Sequence, residues 1–262
     1  MQRSHQQDPQ EPTDGTAGGA VPAPRAARAS AAMRKPKDPV ANRARILRAA
    51  IDEFAARGVE GASMDAIAAR TDTTRSMINY YFGGKEQVYI AVLEHVYAGI
   101  RQAESQLDLE HLEPVAAIRR IVQFTFDYYL SNPGFVRLVV AENQARGQYL
   151  KKSRGMRTLN RTIIETLAAV LARGQAAGVF RAAIDPVEAH LAIAALGMFN
   201  VTNQYTFGAL FQRPMGSRGD IARRRELVCE LLLAWLAAPA AGTDPATPSR
   251  PRRAPAARKR QP

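Results

Sequence analysis

Residues 63–85 read SMDAIAARTDTTRSMINYYFGGK, from Ser63 to Lys85, and this stretch decides the fold. Ser63 can cap a short helix through its hydroxyl. Met64, Ile67 and Ala68 then fall at i, i+3 and i+4, one apolar face over two turns. Thr71 to Thr74 suit turns and caps better than a helix interior. Thr74 opens a second segment in which Met77, Ile78 and Tyr81 share a face; Gly83-Gly84 stop it, and a long apolar-periodic helix begins near Lys85. Two short helices joined by about four turn residues form a helix-turn-helix, whose second helix is shaped for a DNA major groove.

Upstream, a helix is expected from Pro39 to Arg57. Asp38 can cap it, Pro39 suits the first helical position, Ile46, Leu47, Ala50, Ile51 and Phe54 repeat at helical spacing, and Gly58 closes it. Val59 to Ala62 make a short link to Ser63. Residues 1–38 are rich in Ala, Pro, Gly, Gln and Arg without apolar periodicity and read as a disordered basic tail, with Met33 a candidate alternative start. Residues 239–262 read as a second such tail.

The chain of 262 residues carries a formal net charge of +12 and a pI of about 10.3, which favours a polyanionic partner. The tails hold much of this excess. Residues 39–84 carry six Lys/Arg against five acids, so DNA binding there depends on the placement of a few residues. The one cysteine, Cys229, sits in the apolar run LVCELLLAWL and reads as a buried thiol, with no intrachain disulfide or clustered cysteine metal site to be made. No apolar run reaches the length of a membrane span, and the polar N-terminus lacks a signal-peptide core; a cytoplasmic protein with no membrane partner is expected.

From Lys85 the helix continues to about Ala103, its apolar side long enough to belong to two cores. Residues 105–112 read as a loop. Further helices are expected from Pro114 to Tyr129, from Pro133 to about Gly147, around Leu159 to Leu171, from Pro186 to about Phe211, and from Asp220 to Ala237. No strand-like alternation survives. The expected fold is all-α: a three-helix helix-turn-helix domain at 39–84 and a helical effector-binding and dimerisation domain at 85–238.

The run from Ala44 to Leu93 resembles the DNA-binding domain of the tetracycline-repressor (TetR) family of bacterial transcriptional regulators. The aliphatic first helix with Phe54, the Gly58 stop, Ala66-Ile67-Ala68 and the Tyr80-Tyr81-Phe82-Gly83-Gly84-Lys85-Glu86 signature carry the match. The chain departs from the family at the turn, where Thr71-Asp72-Thr73 replaces Ala-Gly-Val, and inside the second helix, where Met77-Ile78-Asn79 replaces Thr-Leu-Tyr. Asp tolerates turn geometry, so the fold survives, but the bases read do not transfer.

The candidate DNA-contacting set is Ser63, Thr74, Arg75, Ser76, Met77, Asn79, Tyr80 and Lys85. Thr74 can hold a phosphate at the helix N-terminus. Arg75, Ser76 and Asn79 face outward, Arg suiting guanine and Asn adenine by bidentate geometry. The resemblance places Tyr80 and Lys85 at phosphate-binding positions. Tyr81 and Phe82 are expected to pack inward and seat the helix.

The resemblance also implies a homodimer on operator DNA, controlled by a small-molecule effector, most often a repressor. For the dimer face we expect Leu191, Ala195, Met198 and Phe199 on one helix and Leu227, Leu231 and Trp235 on the last, a four-helix C2 contact. For the effector pocket the candidates are Phe126, Tyr129, Phe135, Arg137, Glu142, Asn143, Asn200 and Asn203, aromatic or polar near helix centres, although aromatics at this spacing also make ordinary core. No cofactor or metal is expected. Glu94-His95, Glu110-His111 and Glu188-Ala189-His190 lack the i, i+3 spacing of a helical carboxylate–histidine metal site, and no nucleophile-elbow, phosphate-loop or zinc-protease motif occurs, which argues against an enzyme. The alternative is a constitutive architectural DNA binder driven by the basic tails.

Overall fold

A computed structural model describes residues 38–213 and 215–239. The readings of the tails and of Met33 lie outside the described residues, apart from Asp38 and Pro239 at their edges. Among the described residues there are ten α-helices, one 3-10 turn and no strand. The helices are α1 (Pro39–Gly61), α2 (Met64–Arg70), α3 (Arg75–Phe82), α4 (Lys85–Glu104), α5 (Pro114–Ser131), α6 (Pro133–Gln144), α7 (Met156–Ala176), α8 (Pro186–Thr202), α9 (Gln204–Phe211) and α10 (Arg218–Leu236). An antiparallel bridge joins Phe180 to Ala237.

The cap residues act as their chemistry dictates. The Asp38 carboxylate accepts the Val40 N–H at 2.9 Å, with Pro39 next to it at the first helical position. Ser63 Oγ accepts the Ala66 N–H, Thr74 Oγ1 the Met77 N–H and Ser217 Oγ the Asp220 N–H. Gly58 breaks α1 as expected, with φ 65° and ψ −178°, a backbone that L-residues with a side chain resist. The helix then resumes for one turn to Gly61, and the Ala62 N–H donates to the Gly58 carbonyl at 3.2 Å.

Two expected helices are corrected. The one reaching from Pro186 to Phe211 is two, α8 and α9, separated at Asn203. There the Thr202 hydroxyl donates to the Met198 carbonyl at 3.2 Å and Asn203 Nδ2 to Thr202 Oγ1 at 2.7 Å, side-chain bonds that compete with the helical ladder. The helix expected to reach Gly147 stops at Gln144. Arg146 and Gly147 take positive φ, and the buried Glu142 carboxylate accepts the Tyr149 and Leu150 N–H groups at 2.9 and 3.0 Å.

Two apolar clusters hold the protein together. The first joins α1 (Ile46, Ala50, Phe54), α2 (Met64, Ile67), α3 (Ile78) and the buried side of α4 to Tyr129, Phe135, Val136, Leu138 and Val201. The second joins α5, α7, α8 and α10 through Ile118, Ile121, Leu167, Val170, Ile193, Val228 and Leu232. Cys229 is buried within it, as expected, and desolvation pushes its thiol pKa up. Helix α4 packs on α1 at one side and on α7 at the other, as expected of a helix shared by the two halves, but it does so within one continuous cluster. Its buried apolar residues, Val88, Tyr89, Val92, Leu93, Val96 and Ile100, all lie in the first cluster. That cluster itself crosses from the helix-turn-helix into the helical half, because α6 packs directly on α1.

Candidate nucleic-acid interface

The helix-turn-helix is locked by a buried acid. Glu53, on the inner side of α1 and fully buried, accepts the Ser63 N–H at 3.0 Å and lies 3.3 Å from Arg57 Nε and 3.1 Å from Arg70 Nη2. It therefore fixes the start and the end of α2 to α1. In the turn, Thr71 is buried and its hydroxyl donates to the Ile67 carbonyl at 2.9 Å, while Asp72 takes φ 46°, the left-handed conformation for which Asp is tolerated.

On α3, Ile78 is fully buried, and Tyr81 and Phe82 are half-buried against the first cluster, so the helix is seated as the sequence implied. Arg43 of α1 stacks its guanidinium 4.7 Å from the Phe82 ring centre. The opposite face stands free. Thr74, Arg75, Ser76, Asn79 and Tyr80 are exposed, Tyr80 to 81%, and Met77 lies at the edge of that face with 39% exposure. Positions 75, 76, 79 and 80 form one outward strip at helical spacing. Thr74 uses an oxygen lone pair to cap the helix, which leaves its O–H available as a donor. Arg75 lies 3.6 Å from Asp65 on α2, an exposed pair of little strength. Ser63 is half-buried beneath its capping role. Lys85 donates from Nζ to the Glu60 carbonyl at 2.9 Å, pinning the start of α4 to the end of α1 with two ammonium hydrogens to spare.

The eight residues proposed for an effector pocket are not gathered into one cavity. Phe126, Tyr129 and Phe135 are buried core; the Tyr129 and Phe135 rings stack with centres 5.7 Å apart. Glu142 clamps the turn after α6. Asn143, Asn200 and Asn203 each donate to the carbonyl four residues back, those of Val139, Leu196 and Phe199, and so satisfy themselves within their own helices. Of the eight, Arg137 lines a cavity of about 850 Å³ between the end of α1, α6 and the α8–α9 break, with Arg57, Val140, Gln144, Thr202 and Tyr205.

A different polar group lies inside the helical half. Arg101 and Glu104, near the end of α4, are both buried, with Arg101 Nη1 3.0 Å from Glu104 Oε2. Burial outweighs the attraction of Arg101 and lifts the Glu104 pKa to about 7. His190 of α8 is pushed down to about 4 by burial and then by the charge of Arg101. Sequence reasoning passed over this pair, yet a signal was present: Glu104 follows Val96 and Ile100 at steps of four, where the buried stripe calls for an apolar residue.

On the far side, Leu191, Ala195 and Phe199 line α8 at steps of four and are exposed, as are Leu227, Leu231 and Trp235 on α10, which packs beside α8. Met198 is corrected: it is half-buried and packs on the first cluster. The apolar surface also runs onto α9, where Tyr205, Leu210 and Phe211 are exposed and the Phe207 ring meets Phe199 edge-to-face and Phe211 at a tilt. No helix among the described residues is long and apolar enough to cross a membrane.

Comparison with known proteins agrees with this architecture. Residues 46–92 match the model for bacterial regulatory proteins of the tetR family, and residues 114–232 match that for the tetracyclin repressor-like C-terminal domain. The chain is 38% identical over 194 residues to the HTH-type transcriptional repressor NicS of Pseudomonas putida, covering 74% of this chain and 92% of that protein. In fold it is similar to a tetR-family regulatory protein from Rhodococcus RHA1, with a TM-score of 0.60 at 20% identity over 75% of this chain and 97% of the other. It is also similar to the transcriptional regulator FadR of Bacillus subtilis, with a TM-score of 0.58 at 17% identity over 74% and 98%. An exposed recognition strip on a seated second helix, an all-helical second half and a relative matched over nearly its whole length lead to one conclusion: the chain belongs to the TetR family of DNA-binding bacterial transcriptional regulators.

Proposed function

We propose that the protein is a homodimeric repressor that reads an operator through α3 and lets go of it when a small molecule binds the helical half. The observation that carries this reading is the outward strip Arg75, Ser76, Asn79 and Tyr80, left free of the core while Ile78 anchors the other side. Arg75 and Asn79 are the base readers; Thr74, Tyr80 and Lys85 hold phosphates. Two copies joined through α8 and α10 place two such strips on one face of DNA, about one helical turn or a multiple apart. Repression follows the relative NicS, which is a repressor by name.

The control is two-state. An effector that prefers the conformation with the wrong half-site separation lowers operator affinity by the same coupling free energy, typically about 1–3 kcal/mol. Helix α4 is suited to transmit it. Its first residue, Lys85, touches α1, and its last turn holds the buried Arg101–Glu104 pair, about 24–28 Å away at 1.5 Å per residue.

The test is a salt titration of binding to the DNA upstream of the protein's own gene and to random duplex. A repressor prefers its operator by about 10³-fold or more. Equal affinity for both, with equal salt slopes, returns the protein to the class of architectural binders.

A further inference from the structure

Buried polar atoms in native proteins have partners, and the exceptions call for an explanation. Arg101 and Glu104 hold three such exceptions. Their side chains are 6% and 7% exposed, and Arg101 Nε, Arg101 Nη1 and Glu104 Oε2 lack a hydrogen-bond partner among the described residues. Nη1 and Oε2 are close enough to attract, at 3.0 Å, but are not aligned to bond. A guanidinium is built to meet a carboxylate with two parallel N–H donors, and a neighbour three residues along the same helix leaves that fork unfilled.

The pair sits at the floor of an opening. A narrow, partly open space of about 60 Å³ is lined by residues that include Arg101, Glu104, Leu107, Leu109, Ile163 and Thr166. Glu104, Leu109 and Thr166 also line an open cleft of about 540 Å³, whose mouth carries Asp108 and Glu110. Glu104 therefore stands between Arg101 and the cleft. The inner space suits a carboxylate-sized group, and the cleft suits the rest of a small molecule.

We propose that Arg101 anchors the carboxylate of a small organic monocarboxylate, which enters through the cleft over residues 104–110 and takes the place of Glu104. The ligand brings a full carboxylate charge to the guanidinium, where Glu104, its pKa lifted to about 7, supplies only part of one near neutral pH. Glu104, displaced, turns toward the cleft and water, which its reluctance to ionise in the interior already favours. Glu110 disfavours a second negative charge on the ligand, while Asp108, 2.6 Å from His111 Nδ1, adds to this only while that imidazole is neutral. This site deepens the ligand-controlled reading above and rests on it for its regulatory meaning, though not for its chemistry.

The probes are benzoate, phenylacetate and hexanoate, each against its carboxamide, with phthalate and inorganic phosphate as dianions, titrated calorimetrically into the full chain. At least one monocarboxylate binds, and its amide and the dianions bind about tenfold or more weakly, as expected for loss of a charge-assisted pair. Glu104→Gln removes the competing anion and tightens the monocarboxylate several-fold; a merely structural pair would give no such gain. Arg101→Met with Glu104→Gln removes both charges, keeps a cooperative melt and loses the binding. Failure of all three monocarboxylates to bind, equal binding of an amide, or undiminished binding by the folded double variant overturns the proposal. If a monocarboxylate binds through Arg101 yet leaves operator affinity unchanged, the site stands and ligand control fails. If a neutral compound releases operator from the double variant as from the wild type, ligand control stands and the site falls.

Discussion

Oε1 of Glu53 accepts the backbone N–H of Ser63 at 3.0 Å, so the residue that caps α2 is itself held by a buried acid of α1. The same carboxylate faces Arg57 and Arg70, both about half solvent-exposed. Glu53→Ala leaves the Ser63 N–H and two arginines without their acceptor, and it is expected to cost about 2–3 kcal/mol. The second apolar cluster contains no residue of α1, so chemical denaturation followed by far-UV circular dichroism is expected to show the loss together with weakened binding to every DNA sequence.

Arg75 and Asn79 are expected to separate from Lys85 in their effects. Arg75→Ala or Asn79→Ala costs about 1–3 kcal/mol at the base each one reads and relaxes preference there, seen by selection of binding sites from random DNA. Lys85→Ala weakens all sequences alike and lowers the salt slope by about one unit. It also removes the bond to the Glu60 carbonyl, so a drop in stability of about 1 kcal/mol accompanies it. Unchanged base preference in both the Arg75 and Asn79 variants would reject direct readout by this strip.

Leu191→Glu or Leu231→Glu places a charge on the exposed apolar face shared by α8 and α10 without entering the core. Each is expected to convert the protein to monomer in sedimentation equilibrium and to abolish operator binding while leaving the monomer folded. A dimer of undiminished strength in both variants would move the interface elsewhere, and α9, with Tyr205, Leu210 and Phe211 exposed, would be the next surface to change.

Gly174 is required by a close approach. A Cβ on it would lie 1.9 Å from Cδ2 of Phe180, a buried ring at the bridge to Ala237. Gly174→Ala is expected to cost about 2–3 kcal/mol through overpacking, read from the denaturation midpoint. A joint change with Phe180→Leu should recover part of that loss, because the two sites share one contact.

Stability should carry opposing pH signatures from the buried polar group. Glu104 has a folded pKa of about 7, raised from 4.5, so in the window between them the folded state keeps a proton that the unfolded state has lost. Its contribution is present below pH 4.5 and is lost as pH rises toward 7. His190, lowered from 6.5 to about 4, contributes stability above pH 6.5 and loses it as pH falls through that window. The two largely cancel in the wild type between about pH 4.5 and 6.5. Glu104→Gln unmasks the histidine, and the variant should gain stability relative to the wild type as pH rises from 4.5 to 7, measured by thermal denaturation across that range.

The recognition module was legible because its determinants are local. Caps at Asp38, Ser63 and Thr74, apolar residues at i, i+3 and i+4, and the Gly58 and Gly83-Gly84 stops each act within a few residues, so neighbouring letters suffice to place α1 to α4 and the outward strip of α3. The exposed faces of α8 and α10 were legible for the same reason, as stripes at steps of four. Reading a pocket from aromatic and amide residues failed, because whether such a side chain points at a neighbour helix, its own backbone or open space depends on how helices distant in sequence meet. Asn143, Asn200 and Asn203 turned to their own carbonyls, Tyr129 and Phe135 stacked on each other in the first cluster, and Phe126 went into the second.

What the sequence by itself determined is the order of helices and the chemistry of the outward strip of α3, both products of short-range periodicity and capping. What only the tertiary structure decided is how that strip is held and addressed: Glu53 reaching Ser63 ten residues on, α6 lying against α1 so that one core spans both halves, and the burial of Arg101 and Glu104 as a pair. These are outcomes of packing, in which the desolvation of a charge or the direction of a ring is set by elements far apart along the chain.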